Sequence, residues 1–124
     1  MTIELRSFGF QYGSEIGALV FDARFIPNPY YVDSLRPLDG RDKACEDYVF
    51  SFPITQKIFH QLKDIILTMA EGSREKDSQG LKICIGCTGG KHRSVALIEA
   101  LAREIKAIGY QVSISHREME AGRY

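Results

Sequence analysis

The chain has no tryptophan, no net charge and no long apolar run. Sixteen basic residues balance sixteen acidic ones, which argues against a broad, sequence-independent nucleic-acid footprint, although a local basic cluster can coexist with a neutral total. A bilayer span needs about 20 consecutive apolar residues, and nothing approaches that, so a soluble protein with no membrane partner is expected. Cysteine is scarce and odd in number (Cys45, Cys84 and Cys87), and no charged leader precedes an apolar segment. A reducing cytoplasm is the expected setting. Cys84 and Cys87 make a C-x-x-C pair, but Cys84 sits inside a strand pattern and no second ligand pair exists, so neither a metal nor a cofactor is expected. Proline is also sparse, and three of the four fall between positions 25 and 40.

The 124 residues suffice for one domain with its own core. Thr2 to Phe10 reads as a strand with Ile3 and Leu5 on one alternation and Phe8 and Phe10 on the other, shifting face at Gly9. Ala18 to Phe21 is a continuous apolar run, expected to be a strand buried on both faces. Residues 25–40, rich in proline and tyrosine, are expected to be a semi-rigid functional loop. Ala44, Tyr48 and Val49 give a short helical stripe. A longer helix starting near Pro53 carries Ile54, Ile58, Leu62, Ile65, Ile66 and Met69 on one face. Glu71 to Gly80 is polar and aperiodic, expected to be a solvated loop.

The centre of the sequence is Leu81 to Ile108. A short apolar run, Ile83-Cys84-Ile85, leads into Gly86-Cys87-Thr88-Gly89-Gly90-Lys91-His92-Arg93-Ser94. A helical pattern follows, with Val95, Ile98, Leu101, Ala102, Ile105 and Ile108 on one face and Gly109 as its expected C-terminal stop. This strand, glycine loop and helix would expose backbone N–H groups at the positive end of a helix dipole, a setting that suits phosphate. Val112 and Ile114 mark a last strand ending at His116-Arg117, and the βαβ connection makes the last two strands parallel. The expected fold is therefore α/β, a mainly parallel sheet flanked by helices, whose strand ends bring Asp22, Arg24, the glycine loop, His116 and Arg117 to one rim.

Two chemistries fit the loop. Cys87, Arg93 and Ser94 match the C-x5-R-[S/T] spacing of cysteine-dependent phosphatases, in which a thiolate attacks phosphorus inside a loop that holds the phosphoryl oxygens. Such an enzyme needs a general acid, and Asp22, Asp33 or Asp39 could serve. The alternative is binding without turnover, with the amides of Thr88, Gly89 and Gly90 and the side chains of Lys91 and Arg93 holding a phosphorylated metabolite. A Walker A loop is out of register, because counted from Gly86 it needs glycine at position 91 and lysine at 92, where Lys91 and His92 stand. No ATP hydrolysis is expected there.

Ser7-Phe8-Gly9-Phe10-Gln11-Tyr12-Gly13, the run Val20 to Tyr31 with its Phe25-Ile26-Pro27-Asn28-Pro29 element, Leu35-Arg36-Pro37-Leu38 with Gly40, the loop Ile85 to Val95, and His116-Arg117 resemble the C-terminal domain of the RapZ (YvcJ-like) RNase adapter family, over nearly the whole chain. The resemblance implies residues 1–124 as a single such domain, without the P-loop domain that precedes it in the family. It implies a cytoplasmic, regulatory, self-associating module that senses glucosamine-6-phosphate or a related sugar phosphate, and that contributes to binding small RNA and RNase E. Carried over by position, the sugar-phosphate pocket comprises Thr88, Gly89, Gly90, His92 and Arg93 with Asp22, Arg24 and Asn28. The RNA-contacting positions are Lys91, Arg36, His116 and Arg117. Tyr30 stands where some members have a histidine, and the chain closes on Glu118 to Tyr124 without the lysine- and arginine-rich tail of some members.

Overall fold

In the computed structural model, which describes residues 1–74 and 80–124, β1 (Thr2–Gly9), β2 (Leu19–Asp22), β3 (Gly80–Cys87) and β4 (Gln111–His116) form one sheet. The spatial order is β2-β3-β1-β4 and every pairing is parallel. The fold is α/β, with α1 (Lys43–Phe50) and α2 (Pro53–Arg74) between β2 and β3, α3 (Arg93–Ile108) between β3 and β4, and a short α4 (Arg117–Glu120). β3 and β4 run parallel as the βαβ rule requires, but they are not neighbours. β1 lies between them, in register Leu5 to Ile83 on one side and Leu5 to Ile114 on the other.

One core unites the helices with the inner face of the sheet. Ile3 and Leu5 of β1 and Leu81, Ile83 and Ile85 of β3 pack with Phe59, Leu62 and Ile66 of α2 and Leu97, Ile98, Leu101 and Ile105 of α3. The outer face carries Glu4, Arg6, Lys82 and Ser113, and there Glu15 sits 3.5 Å from Arg6, Lys82 and Arg117 alike. This division follows from the period-2 alternation of the strands. The parallel pairing of every strand places all four carboxyl ends, Gly9, Asp22, Cys87 and His116, on one rim.

Several expectations change. β2 is an edge strand with only β3 beside it, so it is not buried on both faces, and Val20 is 38% exposed. In α1 the buried residues are Cys45 and Val49, while Ala44 faces solvent. The inward stripe of α2 is Thr55, Phe59, Leu62, Ile66 and Ala70, and Ile54 and Ile65 stand half-exposed at its border. With so many apolar residues, two phasings of a 3.6-residue repeat fit the same segment, and the contact with α3 and β3 selects one. Ile108 is likewise exposed, in the last turn before Gly109, whose φ of 114° stops the helix. Residues 71–74 continue α2 rather than forming a loop, and the rest of that expected loop, 75–79, lies outside the described residues. β1 ends at Gly9, and Phe10–Tyr12 form a 3-10 turn in place of a strand that shifts face.

Candidate functional site

The loop between β3 and α3 is held from below by contact between glycine backbones. Gly90 adopts φ 69°, and a Cβ there would come within 2.5 Å of the Gly9 nitrogen. A Cβ on Gly9 would lie 2.6 Å from the Gly89 carbonyl carbon. Only glycine permits this approach, so the end of β1 and the loop form one backbone platform, joined also by Gln11 N–H donating to the Thr88 carbonyl at 3.2 Å. Gly86 has a different task. A side chain there would strike the rings of Phe8 and Phe10, which pack edge-to-face at 4.7 Å.

α3 then begins with no side chain capping its amides, leaving first-turn N–H donors at the rim. Arg93, 4% exposed, sends Nη1 to the carbonyls of Arg24 (2.8 Å) and Ile26 (2.9 Å) and Nη2 to Thr88 Oγ1 (3.4 Å). Its Nε is buried without a partner. Lys91 Nζ donates to the Arg36 carbonyl at 3.1 Å, and His92 Nε2 approaches the same oxygen at 3.2 Å. Gly40 N–H donates to the Lys91 carbonyl at 2.9 Å. Residues 25–40 are thereby fastened to the glycine loop and the start of α3 through Ile26, Arg36 and Gly40, with Arg24 held just before them.

Above the platform lies a cavity of about 390 Å³. Thr88, Gly89, Lys91, His92 and Arg93 line one side, Asn28, Tyr30 and Tyr31 a second, and Gln11, Tyr12, Arg123 and Tyr124 a third. Asn28 keeps its place by accepting from Tyr30 N–H at 3.1 Å, the cap of a short 3-10 turn. Cys87 reaches the cavity floor with Sγ 3.1 Å from Ser94 Oγ. Gly90 shapes the loop from beneath. Asp22 and Arg24 form an exposed bidentate pair with contacts of 2.6 and 2.9 Å, Arg24 lies 4.2 Å over the Phe10 ring, and neither lines the cavity.

The aspartates considered as general acids are also outside it. Hydrogen bonding from Arg24 holds the Asp22 carboxyl below its usual range, and Arg41 does the same for Asp39. Asp33 is paired with Arg36 at 2.8 Å. Burial pushes the thiols of Cys45, up to about 12, and Cys84 upward. Among the described residues no group of three or more His, Cys, Asp or Glu could hold a metal ion, and no helix is long and apolar enough to cross a membrane.

The four basic positions expected to touch RNA separate. Lys91 and Arg36 meet at the cavity edge, whereas His116 is buried, with Nδ1 2.6 Å from Ser7 Oγ and Nε2 3.2 Å from Glu99 Oε2. It is a core residue and cannot reach a macromolecule in this fold. Arg117 is turned inward, donating to Glu118 and to the carbonyls of Gly9, Gly13 and Ser14. Sequence reasoning missed Glu118, Arg123 and Tyr124, because their segment is short, polar and aperiodic. The signal available was Glu118 itself, a carboxylate directly after Arg117 at a strand end, with Arg123 five residues on.

Burial keeps His92 and His116 below the ordinary imidazole value. As pH falls through about 6.5 the unfolded chain therefore takes up protons that the folded chain refuses, and stability drops. The thermal midpoint is expected to fall between about pH 7.5 and about pH 5.5, a window above the titration of Asp22, Asp39 and Glu118, all held low. A midpoint constant across that window contradicts two buried neutral imidazoles.

A family profile described as the RapZ C-terminal domain matches residues 1–120. The chain belongs to the RapZ C-terminal domain family. Relatives include a nucleotide-binding protein of Caldicellulosiruptor bescii, 47% identical over 97% of this chain and 42% of its own length. Another is the nucleotide-binding protein YvcJ of Bacillus subtilis, 46% identical over 96% of this chain and 40% of its own length. This RapZ C-terminal domain thus spans about two fifths of the relatives it matches. Within it, the glycine loop, residues 25–40 and the last residues of the chain surround one cavity.

Proposed function

We propose that this domain binds a small phosphorylated ligand of the glucosamine-6-phosphate class in the cavity above the glycine loop and acts as a regulatory module. One observation carries the reading: among the described residues the cavity is lined by Lys91, Arg93 and Arg123 and by no aspartate or glutamate side chain. A dianionic phosphate gains charge-assisted bonds from the arginine and lysine together with the amides at the start of α3. The neutral His92 and the side chains of Thr88 and Asn28 offer polar contacts to a sugar. The same observation favours holding over cleaving, since a phosphatase using Cys87 needs an acid for the leaving group and none of Asp22, Asp33 and Asp39 lines the cavity.

The family resemblance extends the role to contact with small RNA and RNase E and to self-association. Support comes from the lip of the cavity. Arg36 lies 5.2 Å over Tyr30, Arg123 lies 3.7 Å over Tyr12, and Tyr31 is 78% exposed. Aromatic faces beside arginines suit unstacked bases.

Calorimetric titration with glucosamine-6-phosphate is expected to give saturable, single-site binding without phosphate release. Tighter binding of a nucleoside monophosphate would transfer the ligand class to the one named for the relatives. Hydrolysis of an aryl phosphate that disappears in Cys87→Ser would replace binding by catalysis. A mobility shift with RNA hairpins near physiological salt tests the adapter role, and no shift across a range of hairpins counts against it.

A further inference from the structure

The described arginines around the rim differ in how their guanidinium groups are spent. Arg24 and Arg41 each fork onto a nearby aspartate, and Arg36 donates through Nη2 to Asp33 and through Nε to the Tyr30 carbonyl, at 2.6 to 3.1 Å. Arg93 and Arg117 are turned onto backbone carbonyls. Arg123 is the exception. Its Nε donates to Glu118 Oε1 at 3.1 Å, and its guanidinium carbon lies 3.7 Å over the Tyr12 ring. A guanidinium has five N–H donors, and here both Nη groups donate to no protein atom among the described residues.

Three further features define what those donors meet. Arg123 lines the same cavity as Arg93 but belongs to a different wall, beside Tyr12 and Tyr124. Glu118 is 1% exposed and shared between Arg117 and Arg123, while Arg117 also lies 3.5 Å from Glu15, so Arg123 is anchored through Nε by half of a carboxylate and keeps its Nη edge unspent. The salt bridge and the ring contact fix the plane of the guanidinium before any ligand arrives, which reduces the ordering cost of binding.

We propose that Arg123 forms a second oxyanion subsite of this cavity, so that a phosphosugar carrying a further anionic group, phosphate or carboxylate, away from the phosphate held by the glycine loop binds more tightly than a sugar monophosphate. This rests on the binding function proposed above and adds a second anchor to its phosphosugar site. A planar fork matches two oxygens of either anion in a bidentate contact, and such charge-assisted pairs are the stronger hydrogen bonds. Arg93 and the glycine loop take the first anion, and Arg123 selects for the second.

The test titrates the 124-residue chain with inorganic phosphate, glucose-6-phosphate, glucose-1,6-bisphosphate and 6-phosphogluconate. At least one of the two doubly anionic sugars is expected to bind roughly tenfold more tightly than glucose-6-phosphate, and which one gains identifies the second group as phosphate or carboxylate. In Arg123→Gln that advantage is expected to fall to within about twofold, with Arg123→Lys intermediate because it keeps the charge and loses the fork. Tyr12→Leu, which removes the ring beneath the guanidinium, is expected to reduce the advantage independently. Equal affinities for all three sugars in the unsubstituted protein overturn the proposal while leaving phosphate binding in place. An advantage that survives Arg123→Gln overturns it too. If inorganic phosphate and every sugar fail to bind, the function proposed for the cavity falls first and the subsite with it.

Discussion

Arg93→Ala is expected to abolish phosphate-ligand binding, by more than about a hundredfold, and to cost about 2–4 kcal/mol of stability. The two losses have one cause. The guanidinium is buried at the junction of three segments, and its Nη1 alone holds the carbonyls of Arg24 and Ile26. Removing it leaves two acceptors unsatisfied, each worth about 1–3 kcal/mol when buried, with part of that recovered where Arg24 is open to water. It also removes the buried Nε that has no protein partner. Arg93→Lys keeps a charge but cannot reach both carbonyls and Thr88 at once, so it should recover part of the stability and little of the affinity. Urea unfolding and calorimetry on the same samples check both halves. Unaltered affinity in a folded Arg93→Ala protein removes the glycine loop from the binding site.

Glu118→Ala is expected to cost about 2–4 kcal/mol. Burial opposes the charge on this carboxyl, but hydrogen bonds from Gly9 N–H at 2.8 Å and from Arg117 and Arg123 outweigh it and hold the group below its usual range. Deleting it strands the Gly9 N–H beneath the loop and leaves two guanidinium groups without their shared counter-charge. Because Arg123 is partly exposed, the loss on that side is screened, which keeps the total below that of a fully buried pair. Glu118→Gln retains an acceptor and should cost about half as much. Denaturant midpoints measure this directly, and a Glu118→Ala protein as stable as the parent contradicts the role of the carboxylate as a clamp.

The strand, glycine loop and helix were legible because a short apolar run on one side and a 3.6-residue repeat on the other bracket Gly86 to Ser94. The parallel sense of the last two strands followed from the crossover rule, and the shared rim followed once the Leu19 strand was taken to run the same way. What the sequence did not disclose is which neighbours the strands choose. The run Ala18 to Phe21 looks fully buried until β1 takes the centre and leaves β2 at the edge. Likewise Ile54 and Ile65 match a helical stripe as well as Thr55 and Phe59 do, and only packing separates them. At the site, the residues close in sequence were found together, while the wall made by Arg123 and Tyr124 depends on a tertiary anchor, Glu118, that no spacing announces. His116 appeared as a strand-end residue facing solvent, but its pairing partner Ser7 lies on the central strand, so its ring is drawn into the core.

The position of β1 between β3 and β4 also bears on how the chain comes to fold. Its first strand pairs only with partners that begin at Gly80 and Gln111, so during synthesis Thr2 to Gly9 must wait, unpaired, until most of the chain has emerged. Contacts so distant along the chain make for slow, cooperative folding. The backbone platform of Gly9 and Gly90 is then among the last parts to assemble. The ligand proposed for this cavity would stabilise only completed domains, so its supply is expected to raise the fraction of newly made chains that hold the native state.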